Sequence, residues 1–335
     1  MTFLTTLTLM EKIRVFEAFA GYGSQSMALK RLGIDFEVVG ISEIDKYAIQ
    51  AYMAVHGETP NYGDISKIDW SSVPDFDFLT YSFSCTDISN AGKRKGLAEG
   101  SGTRSSLIWE CRKAIESKRP KYLLMENVKN LVSKSFIPYL KEWLIFLYRQ
   151  GYSNYTKVLN AKDFGVPQNR ERVFMVSILG DASFYFPKPF TLKKRLKDVL
   201  EKDVDESFYL STRLINTFIR RTVEAKNKGN GFAFIIRDGN DIAAVIKCRS
   251  GSQIEDNFIR EKNNSGYRVR RITPKECFRL MGVSEEDIDK IQSSGISNTQ
   301  QYKMAGNSIV VDVLYHIFRK MFVDKKDENK QLSLF

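Results

Sequence analysis

The stretch IRVFEAFAGYGSQSMALKRL (residues 13–32) decides the fold. Residues 13–19 form a short apolar run that breaks at Gly21 and Gly23, and residues 26–32 carry a helical pattern. A strand that turns on glycines straight into a helix is the opening unit of an α/β sheet. The glycine pair alone says little about function, because glycines also serve plain tight turns. A dinucleotide-binding turn wants a third glycine three residues after the second, where backbone approaches pyrophosphate. Ser26 stands there, which disfavours a nicotinamide-dependent oxidoreductase but suits a nucleoside cofactor without a pyrophosphate. Glu43 ends the next apolar run, twenty residues beyond Gly23, where a carboxylate could accept both hydroxyls of a ribose.

Outward from this unit the alternation continues. Residues 36–41 are β-branched and 45–55 helical; 78–83 are strand-like and 105–118 helical; 122–125 are a short buried strand. Residues 139–149 read as a helix, then 155–159 and 173–178 as strands. Such alternation predicts a mostly parallel sheet with helices on both faces, and ligands beyond the carboxyl ends of its strands. The regularity fades after residue 180. Residues 191–270 hold 17 Lys and Arg against 11 Asp and Glu, so more than half of the chain's surplus of 11 positive charges lies in about a quarter of it. Short β-rich pieces at 232–236 and 242–246 predict a small, irregular, basic second domain. Helical patterns return at 274–281 and 309–322, and no internal repeat is visible.

The composition excludes several classes. Apolar residues at 43% of 335 can build a sizeable core, which rules out a disordered chain. The positive surplus favours a polyanionic partner. No apolar run approaches the length of a membrane span. The first ten residues, MTFLTTLTLM, are apolar but lack a basic leading segment and a cleavage pattern, so they are not read as a signal peptide, and translation could start at Met10. Cys85, Cys111, Cys248 and Cys277 show no CxxC spacing, and His56 and His316 are the only histidines. Neither a disulfide scaffold nor a zinc site is expected; a reduced, cytoplasmic setting is, with acid–base chemistry that does not rest on histidine.

Two residues stand out just past apolar runs. Cys85 lies in YSFSCTDIS (81–89), before a stretch with Gly92, Gly96, Gly100 and Gly102 and the basic cluster Lys93, Arg94 and Lys95. A lone cysteine is more often an inert core residue, but a strand end beside positive charge is where a thiol pKa falls and a nucleophile forms. The glycines suggest a loop able to close over a substrate. Glu126 ends the apolar run in LLMENVKN (123–130). It is either a surface turn residue or a half-buried carboxyl whose raised pKa lets it donate a proton near neutrality. QNRERVF (168–174) brings Arg170 and Arg172 to the start of another strand. A thiolate with a proton-donating acid is a sensible pair for attack on an electron-poor heterocycle.

Seven blocks in this order, FAGYG (19–23), GDI (63–65), SFSC (82–85), ENV (126–128), QNRER (168–172), RITPKECFRLMG (271–282) and AGNS (305–308), resemble the cytosine-5 DNA methyltransferase family of bacterial or phage type. The resemblance spans residues 13–322. It implies a Rossmann-like S-adenosylmethionine-dependent domain and a smaller, irregular, β-rich target-recognition domain, with double-stranded DNA between them. It divides the chain into 11–186 (main catalytic part), 187–270 (target recognition), 271–323 (a return to the catalytic domain) and a flexible charged tail, 324–335. It implies that Cys85 attacks carbon 6 of a flipped cytosine, that Glu126 protonates ring nitrogen 3, that Arg172 binds the carbonyl oxygen with Arg170 supporting the pocket, and that the Phe83 carbonyl reads the exocyclic amine. The cofactor would rest against Phe19, Gly21 and Gly23, with Glu43 on the ribose, Ile44, Asp64 and Ile65 around the adenine, Leu107 closing one side, and Asn307 and Ser308 on the methionine part. No metal is implied.

Three features depart from the family or extend beyond it. Ser84 and Thr86 replace the usual proline and glutamine around the nucleophile, and Ser84 loses the ring's rigidity. Residues 244–247 (AVIK) stand where many relatives carry a Thr-Leu pair. The terminal QLSLF (331–335) is similar to the pentapeptide by which bacterial DNA enzymes dock onto the replicative sliding clamp, with Gln331 as polar anchor and Leu332, Leu334 and Phe335 as apolar contacts. The resulting expectation is a monomeric enzyme of the bacterial nucleoid, with a cognate restriction endonuclease, a phage-protection role or epigenetic host regulation as its setting. An RNA cytosine-5 enzyme and a catalytically silent DNA-binding relative are the alternatives. Cys111, Cys248 and Cys277 are expected to be packing residues.

Overall fold

The computed structural model describes residues 12–85, 87–88, 98, 100–229, 233–250, 257–263 and 266–324. The first ten residues, Thr86, Gly92, Gly96, the cluster Lys93, Arg94 and Lys95, Phe232 and the QLSLF segment lie outside the described residues.

Strand β1 (Ile13–Ala18) runs into helix α1 (Ser24–Leu32), followed by β2 (Phe36–Ser42), α2 (Lys46–His56) and β3 (Phe78–Tyr81). A 3-10 turn (Ser105–Trp109) leads into α3 (Glu110–Lys118), then β4 (Tyr122–Val128), α4 (Ile137–Arg149), β5 (Tyr152–Asn160), the two-residue β6 (Gln168–Asn169) and β7 (Glu171–Leu179). Six of these strands form one sheet in the order β2-β1-β3-β4-β7-β5. The pairs from β2 to β4 are parallel; β7 runs antiparallel to both β4 and β5. The mostly parallel expectation therefore holds, with one reversed strand. That reversal matters: the start of β7 lies at the same sheet edge as the carboxyl ends of β1 to β4.

Alternation along β1 serves both faces of the sheet, as a period of two demands. Ile13 and Val15 pack with Met27, Leu314 and Phe318 on one side. Phe16 and Ala18 pack with Trp109 and Trp143 on the other. Asp45 caps α2 through its carboxylate, and left-handed Gly33 (φ 71°) ends α1. The final helix α9 (Val311–Phe318) returns to the first sheet: Phe318 meets Phe78 edge-on at 5.4 Å, and Phe322 meets Tyr122 at 5.2 Å.

Beyond β7 the chain forms α5 (Thr212–Asn227), β8 (Ile236–Arg237), β9 (Ala243–Ala244), β10 (Phe258–Asn263) and β11 (Gly266–Arg271), then α6 (Pro274–Arg279), α7 (Glu285–Ser293) and α8 (Asn298–Asn307). Strands β11, β10 and β8 make a separate small sheet. Helix α5 covers it through Phe218, which sits 5.6 Å from Phe258 and 5.4 Å from Phe234. This helix is not foreseen in the sequence reading of a β-rich segment. Several contacts tie this region together and to the rest. Strand β6 pairs in parallel with β9, Gln168 opposite Ala243. Buried Arg270 of β11 reaches Glu276 of α6 at 2.8 Å and Glu261 at 2.6 Å.

Candidate active site

A cavity of about 520 Å³ opens at the carboxyl edge of the first sheet, within the size range of small-molecule sites. One end is built by the turn after β1. Phe19 (φ 57°) and Gly21 (φ 59°) both take left-handed backbone, strained for a phenylalanine and free for a glycine. A side chain at Gly21 would meet nothing within 4 Å, so its backbone faces open space in the cleft. The Gly21 N–H donates to Glu43 Oε2 at 2.9 Å, while Glu43 Oε1 accepts the N–H groups of Ile44 and Asp45, each at 2.8 Å. The carboxylate is thereby fixed at the cavity wall. Ile44 beside it is three-quarters exposed, an apolar face offered to a planar ligand. Asp64 accepts from the N–H and hydroxyl of Ser66, and these bonds hold its carboxyl below the usual range. Ile65, Leu107, Asn307 and Ser308 complete this end.

Gly23, unlike Gly21, sits at the start of α1. It does not line the cavity; its φ is 82°, and a side chain there would strike His56 Nε2 at 2.3 Å. Its role is the close approach of α1 to α2. Burial lowers the His56 pKa to about 4, and its Nε2 lies 3.1 Å from the Tyr22 carbonyl. Neither histidine lines the cavity.

At the other end Cys85 follows β3, and Glu126 sits at the end of β4, only 7% exposed. Burial raises the Glu126 carboxyl, and the Arg172 and Arg170 guanidinium groups pull it back. Arg172 Nε lies 3.3 Å from Glu126 Oε1. The Cys85 thiol is also pushed up by burial, opposed by Arg172 and Arg170 and reinforced by Glu126. Among the described residues desolvation outweighs positive charge; the basic cluster expected to lower the thiol lies outside them. Phe83 lines the cavity, and its carbonyl accepts the Asn127 amide at 2.9 Å, leaving a second lone pair for another donor.

Arg170 belongs to the frame. It is 3% exposed and donates to the carbonyls of Ile246 at 2.9 Å, Gly306 at 3.0 Å and Ser308 at 2.6 Å. One guanidinium so joins the β9 region, the end of α8 and the cavity wall. Gly306 permits the contact: a side chain there would lie 2.2 Å from the Cys248 backbone nitrogen. Cys111 and Cys277 are buried as expected, whereas Cys248 is exposed, with its backbone close against Gly306. Sequence reasoning missed Tyr22, Arg104, Asn127, Lys303 and Met304 among the lining residues. Lys303 pairs with Asp45 across the cavity mouth; its place one helical turn before Asn307 was the available signal.

A profile of C-5 cytosine-specific DNA methylases matches residues 13–323. The chain belongs to this family. The methyltransferase is 38% identical to the type II methyltransferase M2.ScrFI of Lactococcus lactis subsp. cremoris, over 92% of this chain and 99% of that one. It is 35% identical to the type II methyltransferase M.NlaX of Neisseria lactamica, over 92% and 96% of the two chains. Its fold matches the Entamoeba histolytica methyltransferase EhMeth with a TM-score of 0.78 at 19% identity, over 95% and 100%. It is a DNA cytosine-5 methyltransferase. The family implies S-adenosylmethionine as methyl donor, and the residues fit that group: a fixed carboxylate for a ribose, an exposed apolar side chain beside it, and open space over Gly21. Among the described residues no cluster of three or more His, Cys, Asp or Glu could hold a metal, and no helix is long and apolar enough to cross a membrane.

Proposed function

We propose that Cys85 is the nucleophile, Glu126 the proton donor and Arg172 the group that orients both this acid and the cytosine carbonyl. The observation that carries this reading is that all three line one cavity, with Arg172 paired to Glu126 and a guanidinium charge opposing the burial of the thiol. The target base has to leave the duplex to reach them. Cys85 sulfur bonds to carbon 6 while Glu126 gives its proton to nitrogen 3, so the ring gains no net negative charge. Carbon 5 becomes nucleophilic; S-adenosylmethionine, when bound, would supply the electrophilic methyl group and be left as S-adenosylhomocysteine. Loss of the carbon-5 proton to solvent water, return of the nitrogen-3 proton to Glu126 and departure of the Cys85 sulfur as thiolate, taking the electron pair of its bond to carbon 6, restore the ring. Glu43 holds the cofactor ribose, Ile44, Asp64 and Ile65 frame its adenine beside Phe19 and Leu107, and Asn307 and Ser308 face its methionine part. The Phe83 carbonyl reads the cytosine amine.

The proposed division follows the chain: residues 11–186 and 271–323 catalyse, 187–270 recognise the target, and 324–335 form the tail. Basic side chains of 187–270 supply salt-sensitive phosphate binding, and a few of them read base edges in the major groove. The type II and orphan phage methyltransferases among its relatives support a setting of restriction–modification or phage protection. The enzyme acts as a monomer on nucleoid DNA, beside a cognate endonuclease where one is encoded, and QLSLF docks it to the sliding clamp. Bisulfite sequencing of DNA from cells that express the protein tests the activity: 5-methylcytosine should appear within one short motif and vanish with Cys85→Ala. Unmodified DNA, with methylation of RNA in vitro, would favour the RNA reading.

A further inference from the structure

The turn that carries Cys85 lacks the ring that usually stiffens it, because Ser84 occupies the proline position. A proline fixes its own backbone torsion; a serine leaves it free. The structure places one buried hydroxyl across this turn. Ser105, the first residue of the 3-10 turn before α3, is fully buried. Its Oγ donates to the Ser84 carbonyl at 2.7 Å and accepts the Asp87 N–H at 3.2 Å. Its own N–H donates to Asp87 Oδ2 at 3.3 Å. Asp87 is 7% exposed. A single side chain therefore holds the residue just before the nucleophile and another just after it. Among the described residues three further carbonyls around the turn are engaged: Phe83 by the Asn127 amide, Cys85 by the Ile88 N–H at 3.1 Å, and Ile88 by the Asn130 amide.

We infer that Ser105 is a positioning residue for methyl transfer: its reciprocal bonds with Asp87 and its bond to Ser84 fix the Cys85 turn in place of the missing proline ring. Ser105 acts through Cys85 and does not touch the base, so its loss should slow attack on carbon 6 without weakening either substrate. The physical ground is that hydrogen bonds inside a buried network are strong and directional. Reaction rates, moreover, fall steeply when a nucleophile is misplaced, by about 10²-fold for a displacement of about 1 Å. The 3-10 turn gives the hydroxyl a firm base because it continues directly into α3.

The inference rests on Cys85 being the nucleophile, and the test separates the two. Full-length wild type, Ser105→Ala, Ser105→Thr, Asp87→Ala and the double variant S84P/S105A are compared. The readouts are the single-turnover rate of covalent adduct formation with a 5-fluorocytosine duplex, the KM for DNA and the Kd for S-adenosylmethionine. Ser105→Ala and Asp87→Ala should slow adduct formation and kcat by roughly 10- to 100-fold, with KM and Kd within about twofold of wild type. Ser105→Thr, which keeps the hydroxyl, should retain most of the rate. S84P/S105A should recover rate relative to Ser105→Ala, because the ring then does the hydroxyl's work. A wild-type adduct formed equally fast by Ser105→Ala overturns the inference alone, as does failure of the added proline to restore any rate. Absence of a wild-type adduct overturns the assignment of Cys85, and the inference with it.

Discussion

Glu126 and Arg172 are diagonal neighbours on one face of the antiparallel pair β4–β7. Glu126 lies opposite Phe174 and Arg172 opposite Val128, and Arg172 Nε comes within 3.3 Å of Glu126 Oε1. Such diagonal pairs are within reach of a long side chain. The register therefore sets an electrostatic balance: burial favours the protonated carboxyl, the guanidinium favours the ionised one. A proton donor that must also recover its proton in each cycle benefits from opposing influences of this kind. The reversed direction of β7 makes the pairing possible, since it delivers Arg172 to the strand ends where Cys85 and Glu126 already sit.

The first prediction concerns the Cys85 thiol. Burial and the Glu126 charge raise its pKa, and Arg172 lowers it. Iodoacetamide reacts with the thiolate, so in a Cys248→Ser background the alkylation midpoint should lie above that of an exposed cysteine. Arg172→Ala should move the midpoint further up, and Glu126→Gln should move it down. Peptide mass spectrometry across a pH series reads both shifts, and a common direction for the two variants would refute the balance.

The second concerns Glu17, buried in β1, with a carboxyl that burial raises from 4.5 to about 7. Its Oε1 accepts the Ser26 hydroxyl at 2.8 Å. Below pH 4.5 both folded and unfolded chains keep this proton. Between 4.5 and about 7 only the folded chain does, so stability falls as pH rises through that window, by about 3 kcal/mol in total. Glu17→Gln should remove the dependence, matching wild type near pH 4.5 and exceeding it at pH 8. Urea unfolding at the two pH values checks this; equal stability of the two proteins at pH 8 would contradict it.

Arg170 and Arg172, two residues apart, should separate on substitution. Arg170→Met strands the carbonyls of Ile246, Gly306 and Ser308 in the interior, at roughly 1–3 kcal/mol for each one left unpaired. Arg172→Met should leave urea midpoints nearly unchanged and lose kcat. Gly306→Ala should behave like Arg170→Met, because the added methyl meets the backbone of Lys247 and Cys248. Unfolding midpoints and kcat measured on the same preparations decide it.

The tail yields a separable prediction. Deletion of residues 331–335 should abolish co-purification with the sliding clamp and leave methylation of short duplexes intact. Unchanged co-purification would retire that partner.

Much of the site was legible because its chemistry depends on residue type at a strand end. Cys85, Glu126 and Glu43 each follow an apolar run, and a parallel sheet gathers such positions at one edge. What the sequence concealed depends on contacts between distant segments. Arg170 looks like Arg172 in QNRER, yet Arg170 falls between β6 and β7 with its guanidinium held by the carbonyls of Ile246, Gly306 and Ser308, whereas Arg172 lies in β7 and pairs with Glu126. Gly23 reads as a cofactor glycine, but only the approach of His56 shows why it must lack a side chain. Helix α5 was missed because its apolar stripe, centred on Phe218, is narrow within a charged segment. The burial that raises the Cys85 thiol was likewise hidden, because burial is a property of the folded chain.

The central claim is a covalent bond between the Cys85 sulfur and carbon 6 of a cytosine. A duplex carrying 5-fluorocytosine at the methylated position, incubated with enzyme and S-adenosylmethionine, tests it most directly, since a fluorine at carbon 5 cannot leave as a proton. The account predicts a denaturant-stable protein–DNA adduct whose modified peptide contains Cys85, and none with Cys85→Ala. An adduct that persists in Cys85→Ala, or methylated product with no adduct from wild type, would contradict it.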